Sequence, residues 1–217
     1  MSQPRFAAAL FDVDGTLLDS TDYVIGAIEY VLRLHGRTPP MRREIGLVLG
    51  PALTDCYRAL APDLDPALLC AEHRAWQKER VGKMPVRPYP RVIETLQRLR
   101  AAGVRCAAVT ARSKVSSLGT LENAGLAHLL EFLLSAEDTP RTKPHPDPLL
   151  AALERMRLAA SQAVFVGDTE ADIVAGRAAG MVTVGALYGF FGEALATAKP
   201  DYLIRDIAEL TPLVLGV

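Results

Sequence analysis

The sequence predicts an α/β fold: a doubly wound, Rossmann-like parallel sheet with an α-helical block inserted after its first strand. Three observations carry this. An apolar run, Phe6 to Phe11, has the unbroken hydrophobicity of a strand buried on both faces. Beyond Pro90, short apolar runs alternate with segments of helical periodicity, the βα order that demands a parallel sheet with right-handed crossovers. Between these regions, Ser20 to about Lys83 shows helical spacing and no convincing strand.

In chain order, Tyr23 to Leu34 places apolar residues near 3.6 spacing, with Asp19 or Ser20 as a cap and Gly36 as a stop. Shorter helices are predicted over Arg42 to Leu49, ending at Gly50-Pro51, over Ala52 to Leu60, and from Pro66 to about Val81. Met84 to Pro90 is a proline-stiffened return linker. The predicted division is therefore a core of residues 1–19 and 86–217 with a helical cap of 20–85. Two connections at one end of the cap suit a hinged lid, and a rigid helical layer is equally allowed. In the core, helices are predicted over Val92 to Ala102, Ser113 to Ala124, Pro146 to Met156 and Thr169 to Ala179, with a terminal helix last. Strands are predicted over Val104 to Val109, Phe132 to Ser135, Ala163 to Val166, Met181 to Val184 and Asp201 to Ile204.

Composition bounds the function. With 217 residues, half of them hydrophobic, the chain can bury a full core. A formal net charge of −1 with scattered Lys and Arg gives no basic face for nucleic acid or an anionic membrane. No apolar run reaches membrane-spanning length and Met1 to Arg5 is no signal peptide, so the expected location is cytoplasmic, as a monomer or homodimer. Cys56, Cys70 and Cys106 have no C-x-x-C spacing and read as small apolar residues.

Polar residues then collect at the carboxyl ends of the predicted strands, the edge where open α/β sheets bind ligands. Asp12 and Asp14 end the first strand, and they share a side only if the chain turns near Asp14, which Gly15 permits. Two carboxylates that close require a divalent cation or a retained proton. Thr110 and Ala111 follow the second core strand, Lys143 lies in a later loop, and Asp168 with Asp172 follows Ala163 to Val166. Singly, each has an ordinary explanation as a helix cap or a surface charge. Together they form a complete set for hydrolysis of a small-molecule phosphate ester through an aspartyl-phosphate.

In that chemistry Asp12 is the nucleophile and Asp14 the general acid and base. Mg²⁺ takes Asp12, Asp168 and the backbone carbonyl of Asp14, with Asp172 supporting metal waters or Lys143. Lys143 adds positive charge at the nucleophile, and Thr110 with the backbone N–H of Ala111 at a helix start holds phosphate oxygens.

These residues resemble the four motifs of the haloacid dehalogenase (HAD) superfamily: Asp12 to Thr16, Thr110, Lys143-Pro144, and Gly167-Asp168 to Asp172. The resemblance covers nearly the whole chain and implies the same roles, a HAD-like core and a helical cap after the first motif. Within the family the chain looks most like the phosphoglycolate phosphatases. Thr16 follows the phosphatase pattern, and Gly50-Pro51-Ala52-Leu53 resembles a cap loop facing substrate. A phosphomutase of the β-phosphoglucomutase type, or an idle interaction protein on the same fold, are the alternatives. Ala111-Arg112 departs from the Asn-Lys common in relatives, and Arg112 is placed on the helix surface in preference to the phosphate site. His73 and Trp76 are read as cap packing, and His145 is not read as a base.

Overall fold

The computed structural model describes residues 3–217. β1 (Ala8–Phe11) lies inside a six-stranded sheet of order β5-β4-β1-β6-β7-β8, formed with β4 (Arg105–Val109), β5 (Leu133–Leu134), β6 (Ala163–Gly167), β7 (Val182–Ala186) and β8 (Tyr202–Ile204). Every pairing in it is parallel.

Alternation along β1 explains its uniform hydrophobicity. Ala9 and Phe11 join the apolar layer under α5 (Val92–Ala101), α6 (Lys114–Asn123) and α9 (Leu210–Leu215). Ala8 and Leu10 join the opposite layer, under α7 (Asp147–Met156) and α8 (Glu170–Ala178). All four residues are fully buried, so neither face of the strand tolerates a polar side chain.

The helical block comprises α1 (Thr21–Leu34), α2 (Arg42–Gly46), α3 (Leu53–Leu60) and α4 (Pro66–Arg80). Tyr23, Ile28, Leu32, Ile45, Tyr57 and Leu69 form an apolar cluster of its own. The predicted second helix is shorter than Arg42 to Leu49. Its continuation tightens to three-residue bonds, Val48 N to Ile45 O and Leu49 N to Gly46 O, before Gly50 turns the chain at φ +106°. β7 runs two residues beyond Val184 because Gly185 and Ala186 pair with Leu203 and Ile204.

The two connections between layers pair with each other. β2 (Leu18–Asp19) and β3 (Arg87–Pro88) form a two-stranded antiparallel ribbon, extended by the Tyr89 N–H to Leu17 O bond of 3.1 Å. The return segment is thus a strand as well as a proline-stiffened linker. Among the described residues no helix is long and apolar enough to cross a membrane.

Candidate active site

Sheet register levels the strand ends on which the site is built. Phe11 stands opposite Ala108 on one side and Val166 on the other, so Asp12, Thr110 and Asp168 emerge side by side. The chain then turns sharply: Leu17 and Leu18 N–H both donate to Val13 O, and Gly15 takes φ +83°. That turn brings Asp14 to the same cavity as Asp12. A side chain at Gly15 is excluded twice over, since a Cβ there would lie 2.1 Å from Asp168 Oδ2.

Asp12 is the hub of a buried charge cluster. Lys143 Nζ donates to Asp12 Oδ1 at 2.7 Å, to Asp172 Oδ1 at 2.6 Å and to Val109 O at 3.2 Å. Asp172 is held by its other oxygen, which accepts from Thr169 N and Oγ1 at 3.0 and 2.6 Å, capping α8. Asp168 Oδ1 accepts from Thr16 Oγ1 at 2.9 Å, and Oδ2 from Phe190 N at 2.8 Å. Gly189 packs over Asp168, where a Cβ would meet the carboxylate side chain at 2.3 Å.

Three buried carboxylates against one ammonium leave excess negative charge. Burial pushes Asp12 up to about 7, with Asp172 and Asp14 adding to the shift and Lys143 opposing it. Asp168 is also raised, first by burial and then by Asp12 and Asp172. Burial works against the Lys143 charge, yet Asp12 and Asp172 outweigh it and hold the ammonium above its usual range. Oxygens of Asp12, Asp168 and Asp172 lie within 4.8 Å of one another. An all-carboxylate donor set with unneutralised charge fits a hard divalent cation.

Above this cluster is a cavity of about 160 Å³ between the helical layer and the core. Asp12, Asp14, Gly50, Thr110, Ala111 and Lys143 line it. Asp168 and Asp172 do not; both are fully buried behind Asp12. Ala111 lies in a bend three residues before α6, and the helix starts after Ser113, not at Ala111. Gly50 brings the cap loop against the core, where a Cβ would stand 2.4 Å from Thr169 Oγ1.

Arg112 is not on the helix surface. Its Nη1 donates to Asp14 Oδ1 and its Nη2 to Ser116 Oγ, and its guanidinium lies 5.1 Å from the Tyr23 ring centre. His73 both packs and lines the cavity: its Nδ1 meets Tyr57 Oη at 3.0 Å, and burial lowers its pKa to about 3. Trp76 packs on Tyr23 and Tyr30 and is not a lining residue. His145 is exposed and away from the cavity. The Gly189-Phe190 backbone at Asp168 carried no sequence signal beyond a glycine-flanked aromatic pair.

With this geometry, residues 9–186 match the family model of haloacid dehalogenase-like hydrolases. The chain belongs to that family. It is 31% identical over 99% of both chains to the pyrophosphatase PpaX of Bacillus pumilus. It is 30% identical to a phosphoglycolate phosphatase of Neisseria meningitidis, over 94% of this chain and 91% of that one. The crystal structure of a protein from Haemophilus somnus, described as a predicted phosphoglycolate phosphatase, superposes with a TM-score of 0.86. It shares 26% identity over 98% of this chain and 99% of its own. This HAD-like hydrolase thus keeps the family's fold along its full described length.

Proposed function

We propose that this hydrolase is a Mg²⁺-dependent phosphatase that cleaves a small organic phosphate monoester through an aspartyl-phosphate on Asp12. One observation carries the reading: Asp12 faces the cavity beside Lys143, which donates to it, while two further carboxylates are fixed behind it. The names of the relatives, pyrophosphatase and phosphoglycolate phosphatase, support phosphoryl transfer from a small leaving group.

Asp12 attacks phosphorus in line with the leaving oxygen, and Asp14 protonates that oxygen as the bond breaks. Asp14 then takes a proton from the water that attacks the aspartyl-phosphate, releasing inorganic phosphate and restoring Asp12. Lys143 holds positive charge against Asp12 and the phosphoryl group, and Thr110 with Ala111 binds phosphoryl oxygens. Asp12, Asp168 and the Asp14 carbonyl, with Asp172 behind them, would hold Mg²⁺, which when bound would supply charge that offsets repulsion between the carboxylate and the phosphate dianion. The helical layer, 20–85, covers the reacting groups and shapes the leaving-group end of the cavity through Gly50 and its neighbours.

The test is phosphate release from a generic aryl phosphate, with and without Mg²⁺, for the wild type and Asp12→Asn. Turnover that needs the metal and vanishes in the variant is expected. Metal-independent turnover, or full activity in Asp12→Asn, overturns the mechanism.

A further inference from the structure

Both oxygens of Asp168 are held by partners that lead toward the helical layer. Oδ1 accepts from Thr16 Oγ1, and the Thr16 carbonyl in turn accepts from the Tyr188 hydroxyl at 3.1 Å. The Tyr188 ring lies 4.9 Å from that of Tyr89, on the return connection from the layer. Oδ2 accepts from the Phe190 N–H at 2.8 Å. One loop after β7 thus supplies one of these hydrogen bonds and backs the other.

Phe190 itself reaches into the helical layer. The buried members of that layer's apolar cluster run from Tyr23 to Cys70, and among the described residues only Val86 and Phe190 pack on it from outside 20–85. α2 comes against the Phe190 backbone at Gly46, where a Cβ would stand 3.0 Å from Phe190 O and 3.7 Å from Phe190 Cβ. The loop has little anchorage of its own. Gly189 cannot carry a side chain, because a Cβ there would lie 2.4 Å from Gly15 O, and Gly192 follows at φ +54°. Backbone flanked by glycines is conformationally permissive, so the aim of the Phe190 N–H depends on where its ring is packed.

We propose that Phe190 is a positioning residue that couples the helical layer to the cation site: the layer seats its ring, and the ring fixes the N–H on Asp168 Oδ2. A partner that orients a ligating carboxylate tunes its hold on a metal. Coupling free energy is reciprocal, so a cation on Asp168 also tightens the layer against the core. This rests on the proposed function only in giving Asp168 a divalent cation to hold.

Mn²⁺, which takes the same oxygen ligands as Mg²⁺, is the probe, and the paramagnetic resonance signal of the free ion gives its dissociation constant without turnover. Phe190→Ala keeps the N–H but removes the ring. It is expected to weaken Mn²⁺ binding at least about threefold, short of the tenfold or more lost when such a hydrogen-bond partner is removed outright. Phe190→Leu, which keeps an apolar side chain in the layer, is expected to lie within about twofold of the wild type. Reciprocally, Mg²⁺ is expected to slow hydrogen exchange at the Val48 and Leu49 amides of the wild type at least about twofold, and to leave it unchanged in Phe190→Ala. Circular dichroism shows which variants are folded, and the wild-type exchange measurement needs none of them. Unchanged Mn²⁺ affinity in folded Phe190→Ala, an equal loss in Phe190→Leu, or wild-type exchange indifferent to Mg²⁺ overturns the coupling. Absence of Mn²⁺ binding by the wild type would overturn the metal-dependent reading and the coupling together. Mn²⁺ binding without phosphate release from any ester would overturn the phosphatase reading alone.

Discussion

Arg112 Nη1 donates to Asp14 Oδ1 across 2.5 Å, tying the proposed proton carrier to the bend between β4 and α6. Ser116 and the Tyr23 ring hold the guanidinium, so its position depends on both the core and the helical layer. Arg112→Met should leave Asp14 free to rotate away from the leaving oxygen. Since general acid–base catalysis is worth about 10² to 10⁴, losing its alignment is expected to lower kcat about 10- to 100-fold. Steady-state phosphate release from an aryl ester measures this, and an unchanged kcat would show that Asp14 is placed without Arg112.

Lys143 is the sole cation in contact with the carboxylate cluster among the described residues. Lys143→Met leaves Asp12, Asp168 and Asp172 buried together without it. Breaking a buried ion pair by removing one partner costs about 3–5 kcal/mol. The metal-free variant is expected to melt well below wild type, and Mg²⁺ is expected to raise its Tm by more than it raises that of the wild type. Thermal melts with chelator and with Mg²⁺ check both parts. Equal melting of the two metal-free proteins would mean that Lys143 does not balance the cluster.

Why some of this was legible in the sequence and some was not has a physical reason. Asp12, Thr110 and Asp168 each follow an apolar strand directly, and parallel register brings such ends together, so local pattern plus topology places them. The β2–β3 ribbon escapes notice because each strand has two residues, one being Pro88, and its pairing is remote in sequence. Arg112 looked like a surface residue because its partner, Asp14, lies 98 positions away. Periodicity identifies α4 as a helix but cannot show that Gln77 meets a cavity whose other wall comes from the core. Asp168 likewise depends on the Phe190 N–H, and a backbone donor has no side-chain signature.

His73 makes the helical layer sensitive to acid. Burial, then Arg112 and Arg74, lower its pKa from 6.5 to about 3, so the folded protein keeps it neutral while the unfolded chain protonates it below 6.5. The unfolded state then binds more protons, and stability falls as pH drops from 6.5 toward 3. Between pH 6.5 and 5 the contribution is about 2 kcal/mol. His73→Gln, which can still bond to Tyr57, is expected to flatten the Tm-versus-pH curve over that interval. Parallel curves for variant and wild type would refute the assignment.

Gly50 carries a contact between the layers that an alanine cannot reproduce. Its φ of +106° is one that residues with a Cβ rarely adopt, and the added carbon would meet Thr169 Oγ1 at 2.4 Å and Ala171 Cβ at 3.1 Å. The Thr169 hydroxyl is bonded to Asp172, which in turn holds Lys143, so displacement there reaches Asp12 through three side chains. Gly50→Ala is expected to cost about 1–3 kcal/mol of stability and to lower kcat as well. Gly36→Ala supplies the contrast: φ is +68°, nothing lies within 4 Å, and Gly36 is outside the site. That variant is expected to lower Tm modestly through backbone strain alone, with kcat at the wild-type value. Melting curves and phosphate-release kinetics on the two variants separate the effects. A Gly50→Ala protein with lowered Tm but wild-type kcat would confine the cap-loop contact to stability and remove it from the path to Lys143.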